Sequence, residues 1–443
     1  MSYLKTVDPK IAQLIKSEEK RQAETLMMIP SENMSSQAVL EAVGSCLGNK
    51  YAEGYVFRRY YQGQEFVDQV EALAVERAKK LFNVPYANVQ PLSGSPANLA
   101  VYLGLLKPGD KIMGLNLAHG GHLTHGAKVS VSSIFYKSVS YTLGKNNKMD
   151  YKQIEALALK EKPRLIVAGI TAYPLQLDWG KFARIAKKVD AYLMADVAHL
   201  AGLIAGGAYP SPVPFAHVVT TTTHKTLRGP RGAMIMVTDQ GLKKDPDLAK
   251  KIDSAVFPRL QGGPHINTIA GIAVALKEAQ TARFKLYARR IVKNSAVLTE
   301  ELLKYGFNLV AGGSNTHLIL IDLLNKRLTG NLAAEALEEA HIVLNRNSVP
   351  NDPSTPFYPS GIRMGTPGIT TRGMGVREMK QIARMIDAVI TDVAKIKQGL
   401  NVSTEEEKKT TVRQMIIKRS KKIKEVKKEV KALCKKFPLP KSY

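Results

Sequence analysis

The chain has 443 residues, 44% of them hydrophobic and 23% charged, a balance that excludes wholesale disorder and allows two or three domains. No apolar run approaches the roughly eighteen residues of a membrane span. The start, Met1-Ser-Tyr-Leu-Lys, carries no signal-peptide core, and two cysteines, Cys46 and Cys434, exclude a disulfide framework or a cysteine zinc cage. A soluble cytoplasmic protein is expected. The net charge is +26, a field that attracts nucleic acid, anionic lipid, or phosphorylated and carboxylated small molecules.

The first 25 residues read as an exposed helix or arm. Glu65 to Phe82 is an amphipathic helix, with Phe66, Val70, Leu73, Ala74, Ala78 and Leu81 as its apolar stripe. Five short apolar runs follow: Lys111-Ile-Met-Gly-Leu, Arg164-Leu-Ile-Val-Ala, Ala191-Tyr-Leu-Met-Ala, His217-Val-Val-Thr and Ala233-Met-Ile-Met-Val. Unalternated runs of this length suit strands buried on both faces, and interleaved helices such as Lys181 to Val189 supply crossovers. The expected class is α/β: a mostly parallel central sheet with helices on both faces, plus a smaller α+β C-terminal domain. A long helical stretch, Asn267 to Tyr305, carries the domain boundary near residue 280. Beyond it come a strand at His317-Leu-Ile-Leu-Ile-Asp, a helix from Asn331 to Ala340 and a loop-rich segment from Asn347 to Gly373. The tail from Asn401 holds 14 basic and 5 acidic residues, so it carries +9 of the total charge. From about Thr404 it reads as one or two basic amphipathic helices. The division is therefore 1–25 arm, 26–280 large domain, 281–400 small domain and 401–443 basic helical extension.

The most specific segment is Thr220-Thr-Thr-Thr-His-Lys-Thr-Leu-Arg-Gly-Pro-Arg-Gly. A lysine at the C-terminal end of a parallel strand stands where α/β sheets place reactive groups. Beside cations such as His224, Arg228 or Arg231 its pKa falls, as Schiff-base chemistry needs. Alone, Lys225 reads as a surface lysine; its neighbours change that. Asp196 ends the preceding apolar strand, where an acid is costly unless paired. A pyridinium nitrogen is a suitable partner, since a carboxylate keeps it protonated. Pro91-Leu-Ser-Gly-Ser-Pro-Ala-Asn offers a phosphate cradle, with Ser95 as N-cap and Pro96 as first helical residue. His119, His122 and His125 invite a metal reading, but no acidic or cysteine ligands accompany them. An imidazole stacked on a cofactor ring accounts for them better.

From Ile29 to Asp392 the chain resembles the serine hydroxymethyltransferase family of fold type I pyridoxal-phosphate enzymes. The resemblance rests on Pro30-Ser-Glu-Asn, Asn49-Lys-Tyr-Ala-Glu-Gly-Tyr, Arg59-Tyr-Tyr, Ser93-Gly-Ser, the His122 segment, Asp196-Val-Ala-His, the Lys225 segment, Gln261-Gly-Gly-Pro, Asn347-Ser-Val-Pro-Asn-Asp and Gly361-Ile-Arg-Met-Gly-Thr-Pro. It implies reversible transfer of the serine hydroxymethyl group to tetrahydrofolate, giving glycine and 5,10-methylenetetrahydrofolate, in a homodimer with shared active sites. Pyridoxal 5'-phosphate is the implied cofactor, held by Lys225 as an aldimine, with Asp196 on the ring nitrogen and His122 on the ring face. Ser93, Gly94 and Ser95 would hold the phosphate. Thr171, His199, Thr222 and His224 would lie around the cofactor, and Tyr51 and Gly263 would reach it from the neighbouring subunit. Arg363 would clamp the amino-acid carboxylate, a task suited to a planar fork of donors, with Ser31, Tyr61 and His199 completing that pocket. Glu53 would handle the proton between the hydroxymethyl group and folate. Tyr60, Leu117, Gly121, Leu123, Asn347, Thr355, Pro356 and Phe357 would line the folate pocket.

The chain departs from the family at several places. Val56-Phe57-Arg58 stands where Pro-Gly-Lys is usual, Leu92 replaces a histidine, Pro96 a glutamine, and Arg259 a glycine; Thr171 takes a usual serine position. So basic a C-terminal extension is not ordinary in the family. Two rivals are weighed. A folate-free threonine-aldolase-like enzyme would not need Glu53, Tyr60 or Asn347. A nucleic-acid-binding protein is suggested by the charge, but the aromatic–basic interleaving of RNA motifs is absent.

Overall fold

The computed structural model describes residues 3–440. It divides into two units, residues 33–292 and a second made of the chain up to Glu32 and from Lys293 onward. The division falls inside the helix Ala282–Lys304, twelve residues beyond the boundary read from the sequence. Within the first 25 residues, Pro9–Glu24 forms a helix with no buried residue; Leu26–Met27, which the sequence reading put in the large domain, pairs in parallel with Ile342–Val343 of the second unit.

The unit of residues 33–292 is built on a seven-stranded sheet. Its strands are β1 (Tyr86–Asn88), β2 (Lys111–Leu115), β3 (Lys137–Tyr141), β4 (Leu165–Gly169), β5 (Tyr192–Asp196), β6 (Val218–Thr222) and β7 (Ala233–Val237). They lie in the order β1-β7-β6-β5-β4-β2-β3. Strands β2 to β6 are mutually parallel, and β7 runs antiparallel between β6 and β1. Successive residues divide between two cores, as the period of a strand requires. Ile166, Ala168, Leu193 and Ala195 join one, while Leu165, Val167, Met194 and Val218 join the other. Both faces are thus buried, which is why the strands read as continuous apolar runs. Helix α1 (Glu65–Phe82) packs on the first face, and helix α2 (Gly94–Leu105) contributes Ala97, Ala100 and Val101 to the second. Strand β3 escaped the sequence reading because Lys-Ser-Val-Ser-Tyr is a polar, largely exposed edge strand; β1 is only three residues long.

Helix α1 has the expected bounds, and Val70, Ala74, Ala78 and Leu81 of the expected stripe face the core. Val67, Asp68, Glu71, Ala74, Ala78 and Phe82 are buried, and Phe66 and Leu73 are exposed. The inner face also takes in Asp68 and Glu71, whose carboxylates bind the buried Arg59 side chain. The long stretch after β7 is two helices, α3 (Ile266–Ala279) and α4 (Ala282–Lys304). The break comes where the Thr281 hydroxyl caps the amide of Phe284 at 3.2 Å.

The other unit holds an antiparallel sheet of β8 (Asn308–Leu309), β9 (Leu318–Asp322), β10 (Asn345–Asn347) and β11 (Gly361–Gly365), in the order β8-β9-β11-β10. Helices α5 (Gly330–Glu339) and α6 (Val376–Gly399) cover it. The basic tail forms a short Thr404–Glu407 turn of helix, then α7 (Thr410–Arg419) and α8 (Lys421–Lys436). Its Ile416, Ile423, Val426, Val430 and Leu433 are buried in the same core as Ile319 and Ile321. No helix among the described residues is long and apolar enough to cross a membrane.

Candidate active site

The parallel strands present their chemistry at their carboxyl ends, the position expected in an open α/β sheet. Asn116–His125 follows β2, Thr171 follows β4, Asp196 ends β5 with His199 just beyond, and Lys225 lies three residues past β6. Asp196 is in register with Thr220 of β6.

Asp196 is buried and fully engaged. Its Oδ2 accepts from Asn98 Nδ2 at 2.9 Å and meets His125 Nε2 at 2.9 Å, and its Oδ1 accepts from the Ala198 amide at 3.0 Å. The backbone N–H of His122 donates to His125 Nδ1 at 3.2 Å, so the ring proton sits on Nε2 and is donated to Asp196. Burial alone would raise the carboxyl pKa. The hydrogen bond from His125, the neighbouring imidazoles and Asn98 overcome it and hold Asp196 well below the usual carboxylate range. Asn98 also donates to Thr124 Oγ1 at 2.8 Å and accepts from Thr220 Oγ1 at 2.7 Å.

His122 faces the opposite pressure. Burial, with the charge of Lys225 adding to it, pushes its pKa down to about 4, so the ring is neutral at physiological pH. Its Nδ1 accepts from the Thr124 amide at 3.2 Å and contacts Thr124 Oγ1 at 2.7 Å. Sequence reasoning missed Asn98 and the service of His125 to Asp196. The one available signal was a polar Asn98 amid the apolar residues of α2.

The Lys225 loop is fixed by its backbone. The Lys225 carbonyl accepts from Asn33 Nδ2 at 2.9 Å and from the Arg228 amide at 3.1 Å. Arg228 adopts a left-handed φ of 61° and lies 4.2 Å over the Tyr287 ring. Thr226 Oγ1 donates to the His199 carbonyl at 3.1 Å, and Thr222 Oγ1 to the Ala198 carbonyl at 3.2 Å, tying the two strand ends together. His224 is pushed down to about 3, first by burial and then by Lys225 and Arg231. Its buried Nδ1 has no hydrogen-bond partner among the described residues.

The phosphate cradle differs in detail from the sequence reading. Helix α2 begins at Gly94 with Ser93, not Ser95, as N-cap, and Pro96 is its third residue. Proline is tolerated there because first-turn amides have no partner within the helix. A Cβ on Gly94 would stand 2.7 Å from Thr222 Cγ2, so only glycine lets this turn lie against the end of β6.

Glu53 lies over the Gly262-Gly263 turn of the same chain. A Cβ on Gly262 would be 3.3 Å from Glu53 Oε1, and one on Gly263 would be 3.3 Å from the Tyr51 ring. Tyr51 and Tyr61 meet edge to face at 5.2 Å. The charge of Glu53 and a hydrogen bond to it raise the Tyr61 phenol pKa. Tyr60, Leu117 and Leu123 are exposed, as is Tyr51. The turn bearing Gly121 is bound to the Thr171 segment, whose amide donates to the Gly120 carbonyl at 2.7 Å.

In the second unit Arg363 sits on β11, buried, with Nε donating to Asn345 Oδ1 at 3.0 Å. Burial lowers its pKa to about 10, still a cation at neutral pH. Ser31 is half-buried. Asn347 ends β10 and donates to the Ser348 carbonyl at 2.7 Å. Thr355, Pro356 and Phe357 are exposed on a loop organised by Asp352, which accepts from the amides of Val349, Ser354 and Ser360. Among the described residues no cluster of three His, Cys, Asp or Glu could hold a metal ion.

The chain matches the family model described as serine hydroxymethyltransferase over residues 4–386. It is similar to a serine hydroxymethyltransferase of Acidothermus cellulolyticus, 53% identical over 441 residues, covering 99% of this chain and 97% of the relative. One from Desulfotalea psychrophila is 52% identical over 440 residues, covering 99% and 96%. These alignments take in the C-terminal helices, which are therefore no addition peculiar to this chain. With the family model spanning most of the sequence and the relatives nearly all of it, the chain belongs to the serine hydroxymethyltransferase family.

Proposed function

We propose that the chain interconverts serine and glycine, with tetrahydrofolate accepting or returning the one-carbon unit and pyridoxal 5'-phosphate as cofactor. The observation that carries this reading is the Asp196 network: a carboxylate held ionised in a buried site, one strand from Lys225. The donor set fits the cofactor. Asp196 offers a permanent negative charge for a protonated ring nitrogen, His224 keeps an unsatisfied buried nitrogen beside Lys225, and the Gly94 turn offers open amides at a helix start. When bound, pyridoxal phosphate supplies an electron sink for bond cleavage at the amino-acid Cα.

The remaining work belongs to the chain. Lys225 supplies the amine that would carry the cofactor, and Ser93, Gly94 and Ser95 would take its phosphate. His122, neutral, would cover the ring without adding a charge that competes with Asp196. Thr171, His199, Thr222 and His224 would border it. Arg363 would bind the substrate carboxylate, and Ser31 and Tyr61 would be further substrate ligands. Glu53 would move the proton that leaves the serine hydroxyl during transfer to folate. Tyr60, Leu117, Gly121, Leu123, Asn347 and the Thr355–Phe357 loop would receive the folate.

We further propose a homodimer, supported by the exposed Tyr51, Phe57, Tyr60, Tyr61 and Phe66 along one stretch of chain, and a cytoplasmic location, supported by two free cysteines.

The test compares serine cleavage with folate against allo-threonine cleavage without it. Glu53→Gln keeps size and hydrogen bonding but cannot carry a proton, so it should nearly abolish the first and spare much of the second. Equal loss of both would make Glu53 structural, and equal retention would remove it from the reaction.

A further inference from the structure

Glu53 lies in an irregular segment, between Ala52 and the two-residue strand Gly54–Tyr55. Such a segment has little regular structure to hold it, yet a proton-transfer group must be placed to within a fraction of an ångström. The backbone around Glu53 is held by three consecutive carbonyls. Arg59 Nη1 donates to the Ala52 carbonyl at 2.9 Å and to the Gly54 carbonyl at 3.0 Å. The Tyr60 amide donates to the carbonyl of Glu53 itself at 3.1 Å.

The arginine is in turn fixed. Its side chain is 3% exposed, Nε binds Asp68 at 2.8 Å and Nη2 binds Glu71 at 2.6 Å, both on helix α1. Glu71 Oε1 accepts from Gln90 Nε2 at 2.7 Å, and the same Gln90 amide donates to the Gly54 carbonyl at 2.9 Å. The Gln90 carbonyl accepts from Gln261 Nε2 at 3.0 Å, and Gln261 Oε1 accepts from the Leu92 amide at 3.0 Å. One polar chain, buried from Arg59 to Gln90 and reaching the surface at Leu92, thus joins the Glu53 segment, the turn that leads into Ser93, and the turn carrying Gly262 and Gly263.

We propose that Arg59 and Gln90 are positioning residues for Glu53. They set its carboxylate by holding the carbonyls on either side of it, in register with the phosphate turn. This rests on the role given to Glu53 above. A lysine at 59 keeps the charge but not the fork, so it cannot reach Asp68, Glu71 and two carbonyls together. Gln90→Met keeps the side-chain length and removes only the link between Glu71 and the Gly54 carbonyl.

The experiment uses the holoenzyme. Arg59→Lys and Gln90→Met should each lower kcat for folate-dependent serine cleavage by about 10- to 100-fold, the scale of a misplaced reacting group. Folate-free cleavage of allo-threonine should stay within about three-fold, and the cofactor absorbance should be unchanged. Parallel loss of both activities, matched by lost absorbance or a lower melting temperature, would overturn the proposal, since that is what a purely structural role gives. Glu53→Gln, measured alongside, separates the two ways of failing. If it leaves folate-dependent turnover intact, the proton role of Glu53 falls. If it splits the two activities and neither variant does, the positioning role falls. Amide exchange of the wild-type protein tests the clamp with no variant at all. The Tyr60 amide should exchange as slowly as amides of α1, and exchange at the rate of an open loop would refute the clamp.

Discussion

Three half-buried histidines of the large unit are held neutral. Burial carries His122 and His217 from 6.5 down to about 4 and His224 to about 3. In the unfolded chain each binds a proton near 6.5, so between 6.5 and about 4 the unfolded state binds more protons than the folded one. Stability therefore falls as pH drops through that window. Glu71 and Asp253, whose pKa values are raised by burial, act the other way, but the histidines outnumber them. The melting temperature of cofactor-free protein should be level from pH 8 to 6.5 and decline steadily to pH 4. His217→Asn, which touches no proposed ligand group, should flatten part of that decline. A curve flat to pH 4.5 would mean that these imidazoles already carry protons in the folded state. This behaviour was hidden in the sequence, where a histidine shows neither its burial nor its partner. Lys225 and Asp196 were legible because strand ends can be read from apolar runs. The pairing of His125 with Asp196 was not, since it joins residues 71 positions apart.

At the scale of the element, the hairpin that carries Glu53 is tight for its sequence. Gly54 has φ +98°, and a Cβ there would lie 2.3 Å from the Arg58 carbonyl, so that glycine is required. Phe57, second residue of the connecting turn, has φ 59° and is 78% exposed. A left-handed non-glycine residue costs roughly 1–2 kcal/mol, and the exposed ring recovers little of it within the chain. Phe57→Gly should raise the melting temperature by a degree or two, after glycine's own entropy loss is subtracted. A lower melting temperature would show that the ring makes a contact in the assembled protein. The tail is the other element whose role could not be read from pattern alone. It reads as basic amphipathic helices, but what their apolar faces cover is not in the pattern: Ile423, Val426 and Val430 face the core, and the lysines between them face outward. At the end of its first helical turn, the Glu407 carboxylate is wholly buried, accepting from Thr329 N at 2.9 Å and Thr329 Oγ1 at 2.6 Å and pairing with buried Lys397. Glu407→Gln leaves the Lys397 ammonium buried without its counter-ion, so it should destabilise the protein by about 3–5 kcal/mol, seen as a shift in urea midpoint.

For the whole molecule, the two ends of the chain share one anchor. The Arg372 guanidinium donates to the carbonyls of Gln22, Ala23 and Thr25 and to those of Cys434 and Phe437, all at 2.7–3.3 Å. Lys431 adds an ion pair to Glu24, and Arg413 one to Glu335 on α5 at 2.8 Å. The C-terminal helices thus complete the second unit. Ending the chain after Leu400 would uncover the apolar residues that α7 and α8 cover, strip Arg372 of two carbonyl partners and leave Lys397 unpaired. Burial of one large aliphatic side chain is worth roughly 1.5–3 kcal/mol, and five are lost together, against a total stability of about 5–15 kcal/mol for a typical domain. Truncation after Leu400 should therefore unfold the unit that carries Arg363, giving aggregated or protease-sensitive protein rather than a slower enzyme. Replacing Lys421, Lys424 and Lys428 by glutamine provides the contrast. These outward lysines lack ion-pair partners among the described residues, so the triple variant should keep its melting temperature and serine turnover within about two-fold. A truncated protein as stable and active as the full chain would mean that the C-terminal helices are bound on the surface and hold nothing together.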